Sequence, residues 1–194
     1  MIKTIYLASN NPGKIRIFRF LCEKIGVELR QFDQKMDVVE DGMTVRENAD
    51  KKVLAYSHLT DFPILADDAG ARFPALNNEP GVKARRWNGL FPDDVDDETW
   101  LRYLLGRLKE TDGPFVVEYD IAWSVYWKGK IFSREFTRRY DIVLEPKRPY
   151  IKGLPMGSIE IDKESGKYVS EMTLEERFSY LCPFLRDFLE EIGR

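Results

Sequence analysis

One segment limits what this chain can fold into more than any other: Ile64 to Trp87, ILADDAGARFPALNNEPGVKARRW. It opens as a short apolar strand ending in two consecutive carboxylates, Asp67 and Asp68, with Gly70 close behind. Side chains alternate faces along a strand, so both acids enter one pocket only if the backbone turns there. Gly70 is expected to supply that turn, because glycine tolerates positive φ. Two acids at a strand end more often cap or face solvent than catalyse. Their meaning depends on what the rest of the chain brings to them.

The N-terminus brings an anion-binding pattern. Thr4 to Ala8 reads as a strand, Ser9-Asn10-Asn11-Pro12-Gly13-Lys14 as a polar turn, and a helix follows from near Lys14. Its apolar residues Ile15, Phe18, Leu21, Cys22 and Ile25 recur at spacings of three and four. Free amides and the positive end of a helix dipole at such a turn favour a phosphate. This is not the standard P-loop: Ala8 replaces its first glycine and Ile15 its Ser or Thr. An ordinary strand-to-helix turn with a surface lysine explains the same residues. Further on, Thr44 and Glu47 have capping-box spacing, and Val45, Ala49, Val53 and Tyr56 mark one face of the helix they open. Lys51 and Lys52 fall on other faces, and Glu40 and Asp41 precede Gly42 in the loop before it.

ASNNPGK, EDGMTVRENADKK and ADDAG…EPGVKARRW stand in the order and spacing of the inosine triphosphate pyrophosphatase family, which this chain resembles from about Ile5 to Trp87 and more weakly beyond. That family hydrolyses deaminated purine nucleoside triphosphates such as ITP, dITP and XTP to a monophosphate and pyrophosphate, a cleansing of the nucleotide pool. The resemblance implies an α/β fold, an elongated mixed sheet with flanking helices and a central cleft, commonly in a homodimer. It also implies roles. Ser9, Asn10, Asn11, Pro12, Gly13 and Lys14 would hold the triphosphate with Lys52, and Ala69 and Arg177 would also bind the substrate. Asp68 would accept the proton of the attacking water and neighbour a Mg²⁺ ion, and Glu40 would assist the metal.

The C-terminal third departs from that family. A GFGYDP loop is replaced by Gly153-Leu154-Pro155-Met156-Gly157, and a Ser-His-Arg triplet that contacts the purine by Leu181-Cys182-Pro183. Ala69 stands for a serine and Arg177 for a lysine; a guanidinium keeps the charge but not the geometry of an ammonium. Phosphate and metal residues are therefore kept while the base contacts are lost. Two alternatives follow: a pyrophosphatase with shifted base specificity, or a nucleotide-binding protein with little turnover.

Composition sets the frame. With 194 residues, 43% hydrophobic, the chain can bury the core of a single domain spanning 1–194. A net charge of −3 gives no reason to expect nucleic-acid binding through a basic surface. No apolar run approaches the ~18 residues of a membrane span, and no signal peptide is evident. Cys22 and Cys182, among apolar neighbours and without metal or redox spacing, read as buried thiols of a cytoplasmic protein. The only histidine, His58, reads as a surface residue, so the chemistry should not need an imidazole. Asp93 to Glu98 reads as the acidic start of a helix carrying Leu101, Leu104, Leu105 and Leu108. Phe115 to Leu144 reads as a hairpin turning at Lys128-Gly129-Lys130, its aromatic residues serving sheet packing. A last helix carries Phe184, Leu185, Phe188, Leu189 and Ile192, with Pro183 as its first residue.

Overall fold

A computed structural model of the chain describes residues 2–92, 94–149 and 151–194. Among them run strands β1 (Thr4–Leu7), β2 (Glu28–Gln31), β3 (Ile64–Phe73), β4 (Glu79–Gly81), β5 (Val116–Trp127), β6 (Lys130–Ile142) and β7 (Glu160–Ile161). The helices are α1 (Pro12–Ile25), α2 (Val45–Tyr56), α3 (Asp97–Lys109), α4 (Leu174–Phe178) and α5 (Leu181–Ile192). The strands form one mixed sheet in the order β2-β1-β3-β5-β6-β7, with β4 paired to β3. β1 is parallel to both β2 and β3, whereas β4 and β7 run antiparallel to their partners.

The chain forms two compact units and passes between them within β3, β5 and β6 and once more just before α4. The first comprises Met1–Asp68, Ile121–Phe136 and Thr173–Arg194; the second comprises Ala69–Asp120 and Thr137–Met172. In the first, strand alternation builds two cores. Ile5, Leu7, Leu65, Trp123 and Val125 face the side covered by Phe18, Leu21 and Cys22 of α1 and by Leu185, Phe188 and Leu189 of α5. Ala8, Ile64 and Ala66 face the other side, covered by Val53 and Tyr56 of α2. α1 and α2 therefore flank opposite faces of β1 and β3. In the second unit, Phe73, Trp87, Trp100, Leu101, Leu104, Leu108, Val117 and Ile159 form the core.

Most helix ends follow from local sequence. Asn11 caps α1 and Pro12 occupies its first position, two residues ahead of the expected start. Gly26, at φ 72°, ends it. Asp96 caps α3, Asp97 and Glu98 lie in its first turn, and Leu101, Leu104, Leu105 and Leu108 are buried as expected; Asp93 lies outside the described residues. Lys128 and Gly129 turn the β5–β6 hairpin with φ 49° and 77°, the positive pair that a two-residue hairpin turn requires. Pro183 is the third residue of α5 rather than the first, still within the first turn, where its missing N–H costs nothing. Cys22 is buried, and burial, aided by Cys182, pushes its thiol up to about 12; Cys182 is partly exposed, not buried as expected. His58 is exposed.

Gly70 does not turn the chain. β3 continues through it to Phe73, and Gly70 is absent from the left-handed positions. Its role is close approach: a Cβ there would lie 2.9 Å from the Gly81 carbonyl oxygen and 3.1 Å from Val82 Cα. Gly70→Ala is accordingly expected to destabilise the protein by about 1–3 kcal/mol through overpacking of the β3–β4 pair. A denaturation midpoint unchanged from wild type would refute this.

Candidate active site

The turn after β1 is closed by its own side chains. Asn11 Oδ1 accepts from the amides of Gly13 (2.8 Å) and Lys14 (3.3 Å), while Ile15 N–H reaches the Asn11 carbonyl at 3.0 Å. Ser9 Oγ accepts from Asn11 N–H at 3.3 Å, and Pro12 has no N–H to give. The amides of Asn11, Gly13 and Lys14 are thus engaged within the turn. Beside them the turn offers an anion the dipole of α1 and the Lys14 ammonium.

Lys14 pairs with the Asp67 carboxylate and donates to the Asp67 carbonyl at 3.2 Å. Burial pulls its pKa down, but Asp67, Asp68 and Glu40 outweigh it and leave the ammonium above its ordinary value. It is therefore fully charged at neutral pH.

α2 supplies the second cation. The Thr44 hydroxyl accepts from Glu47 N–H at 3.1 Å, but the Glu47 carboxylate takes the Met43 amide (2.6 Å) rather than closing a capping box. Lys52 Nζ lies 2.6 Å from Asp68 Oδ1, 3.1 Å from Glu40 Oε2 and 3.3 Å from the Asp67 carbonyl. Asn48, one turn earlier on the same face, accepts from the Gly42 amide (2.8 Å) and donates Nδ2 to Asp68 Oδ2 (3.3 Å). Both Asp68 oxygens are therefore held from α2. A side chain at Gly42 would meet Asn48 Oδ1 at 2.6 Å, which explains the glycine before the helix.

Asp67 and Asp68 come together with these partners without the anticipated turn. The strand stays extended and the two acids keep opposite faces at its middle, but the helices on those faces each send one lysine to them. Lys14 takes Asp67, Lys52 takes Asp68, and both ammonium groups reach the same carbonyl between them. Both acids are buried, and a carboxylate is stable there only with such charged partners.

Glu40 and Asp68, the expected metal residues, share the Lys52 ammonium. No group of three His, Cys, Asp or Glu able to hold a metal occurs among the described residues. Two convergent carboxylates still suit Mg²⁺, a hard ion that keeps several waters and takes its other ligands from substrate phosphates. Sequence reasoning singles out Asp67 with Asp68 but gives it no role of its own, and it pairs with Lys14. Asn48 is the site residue that sequence reasoning missed; its signals are its place in EDGMTVRENADKK and its burial among Val45, Ala49, Val53 and Tyr56.

The remaining expected contacts are placed less centrally. Ala69 follows Asp68 in β3. Arg177 is buried on α4, its guanidinium 4.8 Å from the Phe178 ring centroid. Leu181 is buried at the start of α5 with Cys182 and Pro183 beside it, an apolar stretch. α4 carries a full capping box between Thr173 and Glu176 that was not anticipated.

A family model described as the Ham1 family matches residues 5–148. A dITP/XTP pyrophosphatase of Staphylococcus epidermidis is 37% identical over 177 residues, covering 91% of this chain and 88% of that protein. Another, from Aquifex aeolicus, is 27% identical over 190 residues, covering 89% and 87%. Among solved structures, the Staphylococcus aureus Ham1 protein matches with a TM-score of 0.75 at 24% identity, over 97% of this chain and 99% of its own. A HAM1 protein from Coxiella burnetii gives 0.78 at 22% identity, over 98% and 100%. Likeness at that identity speaks to the mixed α/β fold.

Proposed function

Because this chain belongs to the Ham1 family, we propose that it hydrolyses deaminated purine nucleoside triphosphates (dITP, ITP and XTP) to the nucleoside monophosphate and pyrophosphate. The observation that carries this is the convergence of Lys14 and Lys52 on the Asp67–Asp68 pair, with Glu40 beside Lys52. Water attacks the α-phosphorus; a bond forms from its oxygen to that phosphorus, and the bond to the α–β bridging oxygen breaks, releasing pyrophosphate. Lys14 and Lys52 neutralise phosphoryl oxygens, and Asp68 accepts the proton of the water. Glu40 and Asp68 would hold a Mg²⁺ ion, which supplies further charge neutralisation on the phosphates. A mere nucleotide binder would need no such buried proton acceptor. The proposal extends to a cytoplasmic homodimer; among the described residues no helix is long and apolar enough to cross a membrane, and both cysteines are free thiols.

Pyrophosphate release measured over ITP, XTP, dITP, GTP, ATP and dUTP with Mg²⁺ tests this; no release from the first three would end it. The same experiment addresses the base. Sites built on donors reject analogues strongly because buried polar groups go unpaired, whereas an apolar wall discriminates by only about 1–3 kcal/mol per methylene-sized difference. With Leu181-Cys182-Pro183 in place of a polar triplet, the ratio of kcat/KM for ITP over ATP is expected to be smaller than in relatives carrying that triplet. A preference of about several hundredfold or more would show that base recognition is rebuilt by another route.

A further inference from the structure

Asp50 is a carboxylate of α2 that the proposed chemistry leaves unused. It lies two residues from both Asn48 and Lys52, which places it about 200° round the helix from each. On that side Asp50 Oδ1 accepts from Ser124 Oγ at 2.5 Å and from Ser133 Oγ at 2.8 Å. The two hydroxyls, from β5 and β6, lie 3.0 Å apart. Ser124 is fully buried, and only 25% of the Asp50 side chain is exposed. Each hydroxyl has one proton, so either both donate to Asp50 or one relays through the other. Asp50 is the final acceptor in both cases.

An apolar residue would occupy this position at a smaller desolvation cost. Nearby, α2 and the hairpin share an apolar cluster that includes Val53 and Tyr56 of the one and Tyr126 and Ile131 of the other. Apolar contact is non-directional and tolerates small slides of a helix. A carboxylate held by hydroxyls from two strands does not, since rotation or translation breaks one bond or the other.

We propose that Asp50 is a positioning residue: bound to Ser124 and Ser133, it sets the rotation and height of α2 and thereby places Lys52 and Asn48 on Asp68. The effect on catalysis rests on the pyrophosphatase reading above; the effect on Lys52 does not.

The test compares Asp50→Asn, which keeps an acceptor oxygen, with Asp50→Leu and with the double variant Ser124→Ala/Ser133→Ala. Steady-state kinetics on dITP are combined with NMR of the Lys52 side-chain resonances, assigned from their loss in Lys52→Arg. Misplacing a catalytic group by about 1 Å costs on the order of a hundredfold. Asp50→Leu and the double serine variant are therefore expected to lose about ten- to hundredfold in kcat, with KM within about twofold and the Lys52 resonances displaced. Asp50→Asn is expected to stay within about threefold of wild type, with those resonances in place. Should Asp50→Leu not fold, the double serine variant decides. Wild-type kcat and unshifted Lys52 resonances in either disrupting variant would overturn the proposal, as would a loss in Asp50→Asn equal to that in Asp50→Leu. Absence of dITP hydrolysis in the wild type overturns the pyrophosphatase reading instead, and the Lys52 resonances alone then decide the role of Asp50.

Discussion

Asp68→Asn should lower kcat for dITP by about two orders of magnitude or more while leaving KM and the fold largely intact, because a proton acceptor or metal neighbour contributes on that scale. The geometry adds a structural detail. Asn48 Oδ1 is committed to the Gly42 amide, so its Nδ2 must donate toward position 68, and Lys52 donates to the other oxygen of the same carboxylate. An asparagine there has only one oxygen for two donors. One of the two bonds is lost, at about 1.5–3 kcal/mol for a bond to a charged group, which circular dichroism melting can separate from the kinetic effect. Wild-type turnover in Asp68→Asn would remove this residue from the mechanism.

Lys14→Ala should weaken binding of every triphosphate by roughly 10- to 150-fold whatever its base, the equivalent of one charge-assisted hydrogen bond of about 1.5–3 kcal/mol. Affinities for two triphosphates with different bases check this, and a loss confined to one base would exclude a phosphate contact. The variant should also be less stable, since it leaves Asp67 buried without the cation it pairs with. Removing one partner of a buried pair costs about 3–5 kcal/mol, less here because Lys52 remains close to the Asp67 carbonyl. Adding Asp67→Asn should restore stability without restoring affinity. The folded-state pKa of Lys14 is raised, so on the alkaline side the pair's stabilisation is held up to the ordinary lysine value of 10.5 and is lost as pH climbs through the raised value.

Local chemistry made much of this protein legible before any fold was known. Apolar spacing located α1, α2, α3 and α5, because each buries one face and the period of that face is written in the chain. The Lys128-Gly129 turn joins β5 to β6 where expected, since a two-residue turn depends only on its own φ values. Lys14, Lys52, Asp68 and Glu40 were singled out as residue types in motifs, and Lys52 does meet Glu40 and Asp68.

What escaped the sequence depended on atoms distant in the chain. Gly70 reads locally as a turn, yet its glycine is required by the Gly81 carbonyl, eleven residues away on β4. The turn at Asn11 reads as a cradle of free amides, but the Asn11 side chain takes two of them, those of Gly13 and Lys14. Asp67 and Asp68 were expected to need a bent backbone; instead, helices on opposite faces each contribute a lysine to an extended strand. Asp50 lies within EDGMTVRENADKK but has no role there that its neighbours reveal, and its partners lie 74 and 83 residues further on. Sequence by itself determined which groups are charged and which segments are helical or extended, since those follow from side-chain chemistry and contacts within a few residues. Only the tertiary structure decided which charge meets which, because a strand shows its two faces to different helices and their packing sets the partners.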